Sequence, residues 1–314
     1  MNRSLRIIPM KDNASTETLS IIIVNYNAGR VLHDCIAAIE DSPWKGETLE
    51  VIVIDNRSTD NSMDSLLRDF PKLKLIHNTQ NVGFAKAVNM GIHHASGQFL
   101  LLLNPDCIIQ NGCLDTMMAF FRAVPDASIA GCKLRNADGT LQFSARSFPI
   151  LMNGIFDRKS LFTKLFPQNR FSKHYLERGQ DTNTYQMVDW VSGAFMMIRR
   201  DALDHVGLLD EQFFIFMEDI DLCLRMKEGG RNVYYVPMAE AMHHIGKSAS
   251  QHPFWMLWEL HKSIWHYYKK HFTRNILLDF LILSGICIRM VVGVIRNTIR
   301  GLFIHRLFRS STAS

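Results

Sequence analysis

The chain has 314 residues, 47% of them apolar and 21% charged, a profile that fits a folded protein with a sizeable core and excludes a disordered chain. Its formal net charge of +5 is unevenly placed: Lys262 to Arg309 carries nine basic residues against the one acid Asp279, a local +8 that leaves −3 for the remainder. That distribution excludes a nucleic-acid groove spread over the body and points to one adhesive C-terminal end.

Six scattered cysteines with no CxxC pair fit reduced thiols in a cytosolic setting. The first 18 residues form a polar leader without the apolar core of an export signal. Leu19–Val24 is a continuous β-branched run that suits a strand buried on both faces. Asn25 to Gly29 breaks it, and Val31–Ile39 has helical spacing. Leu49–Ile54 reads as a second strand ending in Asp55-Asn56, and Asn61–Phe70 as a helix capped by Asp60 or Asn61. Leu73–His77 is a third strand, Phe84–His94 a helix stopped by Ser96-Gly97, and Gln98–Leu103 a fourth strand closed by Asn104-Pro105. Alternating strands and helices with short joints predict a doubly wound, mostly parallel α/β sheet, whose ligands sit beyond the carboxyl ends of the strands. Residues 136–185 are irregular and polar, and Trp190–Ile198 is another apolar run. Asp219–Lys227 reads as a helix stopped by Gly229-Gly230, and Val233–Val236 as a short strand before Pro237.

The polar residues at the predicted strand ends carry the chemistry. Asp106, after a proline that fixes the turn, projects a hard oxygen ligand of the kind Mg²⁺ or Mn²⁺ prefers, although an ordinary Asn-Pro-Asp turn has the same letters. Asp55 can accept the imide N–H of uracil or thymine, while Ser58 or Asp60 caps the next helix. Gly83 opens a helix where backbone can approach a ligand, and Lys86 adds positive charge suited to a diphosphate. Glu218, Asp219 and Asp221 follow the five apolar residues Phe213 to Met217, a costly placement unless a cation or a proton is handled there. Asp219 or Asp221 is therefore a candidate general base, and Glu218 suits a helix N-terminus in any case. His243-His244 are candidate ligands or phosphate contacts.

The order of seven motifs resembles the family 2 glycosyltransferases of the GT-A fold, in particular the rhamnosyltransferase-like branch. They are IIIVNYN (21–27), VIDNRSTDNS (53–62), NVGFAKAVN (81–89), LLLNPD (101–106), WVSGAFMMIRR (190–200), GLLDEQFFIFMEDIDLCLR (207–225) and VPMAEAMHHIGKS (236–248). The resemblance implies a GT-A domain over residues 19–250 with a helical, basic, membrane-associating segment at 251–314. It implies a nucleotide site at Val24, Tyr26, Asp55, Asn81, Gly83, Lys86 and Asn104, with Asp55 on the base. A divalent metal, Mg²⁺ or Mn²⁺, is expected at Asp106 and His243, and Asp219 is expected to deprotonate the acceptor. Trp190, Gly193 and Glu218 are expected to shape the sugar and acceptor pocket. Asn104 replaces the first acid of the family's DxD motif, and the QxxRW stretch of processive synthases is missing, so one sugar is expected to be added. The expected donor is dTDP-L-rhamnose and the expected acceptor a lipid-linked saccharide of an O-antigen-like polysaccharide, with inversion at the transferred carbon. UDP-galactofuranose, UDP-galactose or UDP-GlcNAc as donor, or a non-catalytic nucleotide-sugar-binding protein, are the alternatives.

Ile276–Ile295 has the ~20 residues of a membrane span. Asp279 and Arg289 lie inside it, and Arg289, Arg296 and Arg300 share one side of a helical wheel. The sequence therefore favours a basic amphipathic helix in the interface, peripheral on the cytoplasmic face of the inner membrane.

Overall fold

The computed structural model describes residues 17–63, 65–148, 183–244, 253–272 and 275–311, with side chains as far as residue 299. Most of the predicted leader and of the irregular stretch, residues 1–16 and 149–182, lies outside the described residues.

Three parallel pairings build the N-terminal half. β1 (Thr18–Asn25) pairs with β2 (Thr48–Asp55) and β4 (Phe99–Leu103), and β2 pairs with β3 (Lys74–His77). The register sets Asn25 beside Asp55 and Ile23 beside Leu103, so the polar strand ends share one edge. The sheet then changes sense: β11 (Phe195–Arg199) runs antiparallel between β4 and β6 (Ala127–Arg135). Beyond β6 lies β12 (Asn232–His243), parallel to it and antiparallel to β5 (Cys107–Ile109) and β9 (Gln186–Val188). Two-residue strands complete the set: β7 (Leu141–Gln142) on β6, and β8 (Ala145–Arg146) with β10 (Trp190–Val191) as a separate ribbon.

Alternation along β1 sorts the core onto two faces. Leu19, Ile21 and Ile23 pack with α1 (Arg30–Glu40) and α4 (Cys113–Ala123), while Ile22 and Val24 pack with α3 (Phe84–His94), α5 (Arg200–Val206) and α6 (Glu218–Glu228). Because both faces are covered, the central strands are continuously apolar, as the sequence indicates. Leu101 is fully buried there, and its truncation to alanine would cost about 2–5 kcal/mol.

Two local expectations are corrected. Asn61–Phe70 is not one helix but a 3₁₀ turn, Asn61–Met63, and a single turn α2 (Leu66–Asp69). The carboxylate of Asp60 is spent on that turn, accepting the amides of Ser62 and Gly29. The apolar run Trp190–Ile198 supplies two strands, β10 and most of β11, parted at Ser192 to Ala194. The strand placed at Val233–Val236 runs through Pro237 as far as His243, because a bulge between Val236 and Glu240 takes up the proline that has no N–H to give the ladder.

α7 (Pro253–His271) and α8 (Ile276–Ser311) follow. α7 joins α6 through a third small core of Phe213, Ile220 and Tyr267. On α8, Asp279 is turned to α7, whereas Arg289 is exposed. Asp279 accepts the Tyr268 hydroxyl at 2.8 Å and Lys269 at 2.6 Å, and Arg289 lies close enough to His261 to act on its charge. The outward side of α8 carries Leu277, Leu281, Ile288, Val291, Val292 and Ile295, all exposed. Ile276–Ile299 is long and apolar enough to cross a membrane by length and composition, and its exposed residues include the basic Arg289 and Arg296 as well as these apolar ones.

Candidate active site

The base-side wall starts at the end of β1. Asn25 is fully buried, and its side-chain amide lies 3.1 Å from Asp55 Oδ1 and 2.9 Å from the hydroxyls of Ser58 and Ser62. Asp55, 6% exposed, also receives the Ser58 amide and has His77 Nδ1 at 3.5 Å. Neither Asn25 nor His77 was expected in this role, because their partners lie one strand away. Asn56 extends the wall: its amide donates to Asn81 Oδ1 at 2.8 Å, and its carbonyl accepts Asn78 and the Val82 N–H. Asn81 thus holds the loop leading to α3. Val24 is buried and Tyr26 half-buried beside this wall.

Gly83 and Lys86 each have a partner within the protein. Gly83 sits at φ 89°, and a Cβ there would lie 2.7 Å from the Phe214 carbonyl oxygen. The close approach that demands glycine is therefore the chain at Phe214, whose carbonyl accepts the Phe84 N–H at 2.6 Å. Lys86 is half exposed and pairs with Glu211 at 3.6 Å.

The Asn104-Pro105-Asp106 turn closes β4, and β12 brings His243 to it. His243 Nε2 is 3.2 Å from Asp106 Oδ1 and 3.3 Å from Asn104 Nδ2. Its Nδ1 is 2.7 Å from Gln142 Oε1, and the Gln142 amide donates to Asn136 Oδ1 at 3.0 Å, which turns the Gln142 carbonyl to the ring. Gln142 Oε1 therefore accepts a hydrogen bond from Nδ1–H, which leaves the Nε2 lone pair to accept from the Asn104 amide and to face Asp106 Oδ1. Two electron-rich atoms at that spacing suit a shared cation, and a histidine whose second nitrogen is so anchored has the form of a metal ligand. Among the described residues no group of three or more His, Cys, Asp or Glu side chains is gathered to hold a metal. A two-ligand site fits Mg²⁺ or Mn²⁺, which takes few protein oxygens and completes its shell with phosphate and water. His244 meets the turn by its backbone alone, its N–H donating to the Asp106 carbonyl at 2.9 Å.

The acidic motif adjoins this turn through β11. The Asn104 N–H donates to the Ala194 carbonyl at 3.0 Å, and the next residue back, Gly193, donates its N–H to Asp219 Oδ2 at 3.0 Å. Asp219 Oδ1 accepts the Ile220 N–H at 2.8 Å. Burial raises the Asp219 carboxyl above its ordinary range, against the pull of those two amides and of nearby Arg146. A carboxylate with a raised pKa, aimed by two backbone donors, is suited to accept a proton. Arg146 lies 5.7 Å from the Trp190 ring centre, and Trp190 Nε1 donates to the Ser147 carbonyl at 2.9 Å.

The three acids have separate fates. Glu218 is 6% exposed, and its Oε2 has no hydrogen-bond partner among the described residues. Burial, then the adjacent Asp219 charge, pushes its carboxyl well above the usual range. Asp221 is fully buried and is not a second candidate base: it meets Arg225 at 2.8 Å, Lys270 at 2.8 Å and His271 at 2.7 Å. Burial would raise its carboxyl, but the bonds from Lys270 and His271 and the Arg225 charge hold it down.

Gln142 and Arg146 were missed by sequence reasoning. Both lie in two-residue strands, too short to leave a periodic pattern.

Comparison with known proteins bears on the family and the fold. The profile described as Glycosyl transferase family 2 matches residues 20–207, and that of Glycosyl transferase family group 2 matches residues 147–294. The chain is 28% identical over 259 residues to the N-acetylglucosaminyl-diphospho-decaprenol L-rhamnosyltransferase of Mycobacterium tuberculosis, covering 79% of this chain and 83% of that protein. It is 32% identical over 153 residues to the rhamnosyltransferase WbbL of Escherichia coli K12, covering 48% of this chain and 53% of that one. Its fold resembles GalNAc-T7 crystallised with UDP, GalNAc and Mn²⁺, with TM-score 0.56 at 16% identity over 74% of this chain and 44% of that one. Staphylococcus aureus TarS 1-349 in complex with UDP-GlcNAc gives TM-score 0.51 at 16% identity, over 86% and 71%. With more than half of its length matched, the chain belongs to glycosyl transferase family 2 and is a glycosyltransferase with rhamnosyltransferases among its relatives.

Proposed function

We propose that the protein moves one sugar, with inversion, from dTDP-L-rhamnose to a lipid-linked saccharide at the cytoplasmic face of the membrane, in synthesis of a surface polysaccharide. The observation that carries this reading is the Asp219 carboxylate, held by the amides of Ile220 and of Gly193, whose neighbour Ala194 accepts the Asn104 N–H. With Asp221 committed to α7 and Glu218 buried deeper, Asp219 is the acid of the motif that borders the Asn104 turn, which supports a single in-line displacement. Asp219 takes the acceptor hydroxyl proton as that oxygen bonds to the anomeric carbon, and the bond from that carbon to the diphosphate breaks. Asp106 and His243 would hold the divalent cation, with Gln142 orienting the histidine. A cation bound there supplies charge neutralisation on the departing nucleoside diphosphate. Asn25 fixes Asp55 to receive the imide N–H of the base, a contact that thymine and uracil share.

The Mycobacterium relative, named for a rhamnosyl donor group and a diphospho-decaprenol acceptor, supports the sugar and the lipid-linked class. The exposed apolar residues of α8, with Asp279 bonded to α7, support membrane association. The test is to incubate the full chain with Mn²⁺ or Mg²⁺ and dTDP-rhamnose, UDP-galactofuranose, UDP-galactose or UDP-GlcNAc, and to follow nucleotide release. dTDP-rhamnose is expected to turn over fastest, and preference for a UDP-sugar would replace the donor. NMR of the glycosidic product reads inversion.

A further inference from the structure

Phe216 and Met217, immediately before α6, both adopt left-handed backbone at φ 70° and 71° without being glycine. Such residues persist only where the surroundings over-determine them. Here α7 grips the chain on both sides of the pair. Upstream, Ser263 Oγ donates to the Ile215 carbonyl at 2.9 Å, the Phe213 ring lies 4.7 Å from that of His266, and Phe214 meets Trp255 edge-on at 5.1 Å. Downstream, Lys270 and His271 hold Asp221, and Lys270 also reaches back to Asp210 at 2.7 Å. Asp219 lies between the two grips, two residues past the second left-handed residue.

We propose that Ser263, Lys270 and His271 of α7 are positioning residues for Asp219: they lock the strained turn at Phe216-Met217 so that the Asp219 carboxylate reaches the Gly193 N–H. The clamp acts through Ile215 and Asp221 and touches no substrate. This rests on the reading of Asp219 as the base, and misplacing a reacting group by about 1 Å costs on the order of a hundredfold in rate.

The test uses the full chain with the nucleotide sugar that the donor panel selects. Ser263→Ala removes one hydroxyl, and Lys270→Ala removes a side chain that is 27% exposed, so neither opens a large cavity. In both, amide hydrogen exchange is expected to speed up across residues 213–221 while the β1, β2 and β4 amides keep their protection. Turnover is expected to fall about tenfold to a hundredfold with donor KM within about twofold, and Lys270→Arg to recover most of it. Unchanged exchange at 213–221, or unchanged kcat in both alanine variants, overturns the clamp. Asp219→Asn run alongside separates the two ideas. If it keeps full turnover the base assignment fails, while the exchange data still decide whether α7 holds the turn.

Discussion

At the two ends of the same parallel strands, carboxylates are treated in opposite ways. At the amino ends, Glu50 accepts the Ser96 N–H at 2.6 Å, the hydroxyls of Ser20 and Ser96, and the Lys74 ammonium. Burial would raise its carboxyl, but the Lys74 and serine bonds hold it down to about 2. At the carboxyl ends, Asp219 is raised by burial with only two amides in compensation, and Glu218 is raised further with an oxygen left unpartnered among the described residues. One end ties strands together and the other keeps bonding capacity in reserve. A sheet that stabilises itself at one edge can carry groups at the other that folding alone would not favour.

Experiments at both ends can break or sharpen this contrast. Asp219→Asn is expected to lower kcat by about 10²–10⁴. A carboxyl whose pKa is raised on folding costs stability as the pH rises from its ordinary range through its folded value. The thermal midpoint of that variant near neutral pH should therefore be no lower than wild type, and a marked drop in melting would mean that Asp219 is structural. Asp106→Ala is expected to lose metal-dependent turnover by about 10²–10³, with Asn104→Ala milder, since Asn104 brings no charge to the cation. Loss of donor binding without loss of metal response would move the cation elsewhere. The acidic limb of kcat/KM should fall above the ordinary carboxylate range, because the base must be ionised and burial raises it. Gln142→Ala should weaken Mn²⁺ activation by about tenfold to a hundredfold, read as a metal titration of activity.

The smallest effect belongs to the other end. Glu50→Gln is expected to cost about 1–2 kcal/mol of stability near neutral pH while the folded enzyme keeps its kcat. A depressed carboxyl contributes stability that is present above its ordinary value of 4.5 and is lost as the pH falls toward about 2. Denaturation curves of wild type and variant should therefore converge across that interval. A kcat that collapsed in a well-folded Glu50→Gln protein would erase the distinction between the ends.

How far the letters of the chain reach depends on the range of the interaction. The strands at Leu19–Val24, Leu49–Ile54 and Gln98–Leu103 were legible because burial on both faces forces an unbroken apolar run, and the strand-end positions of Asp55 and Asp106 because they follow such runs, whereas Asp219 follows a bent apolar segment. Asn61–Phe70 was misread because helix-like spacing was met by side-chain bonds from Asn25 and Asp60 that fold the start of the segment into a tight turn. Gln142, Arg146 and Lys270 were invisible for a different reason. Their partners at His243, Trp190 and Asp221 come from distant parts of the chain, and no local pattern records a meeting of that kind.

The separate fates of Glu218, Asp219 and Asp221 bear on how the crevice meets its donor. On an α-helix, residues two apart point about 200° from one another, so Asp219 faces β11 while Asp221 faces α7. Asp221 is matched by Arg225, Lys270 and His271, and burial with the adjacent Asp219 charge pushes the Glu218 carboxyl up, toward its neutral form. A stretch that spells three negative charges therefore presents fewer of them to an incoming diphosphate, and an anionic ligand meets less repulsion than a count of acidic letters implies.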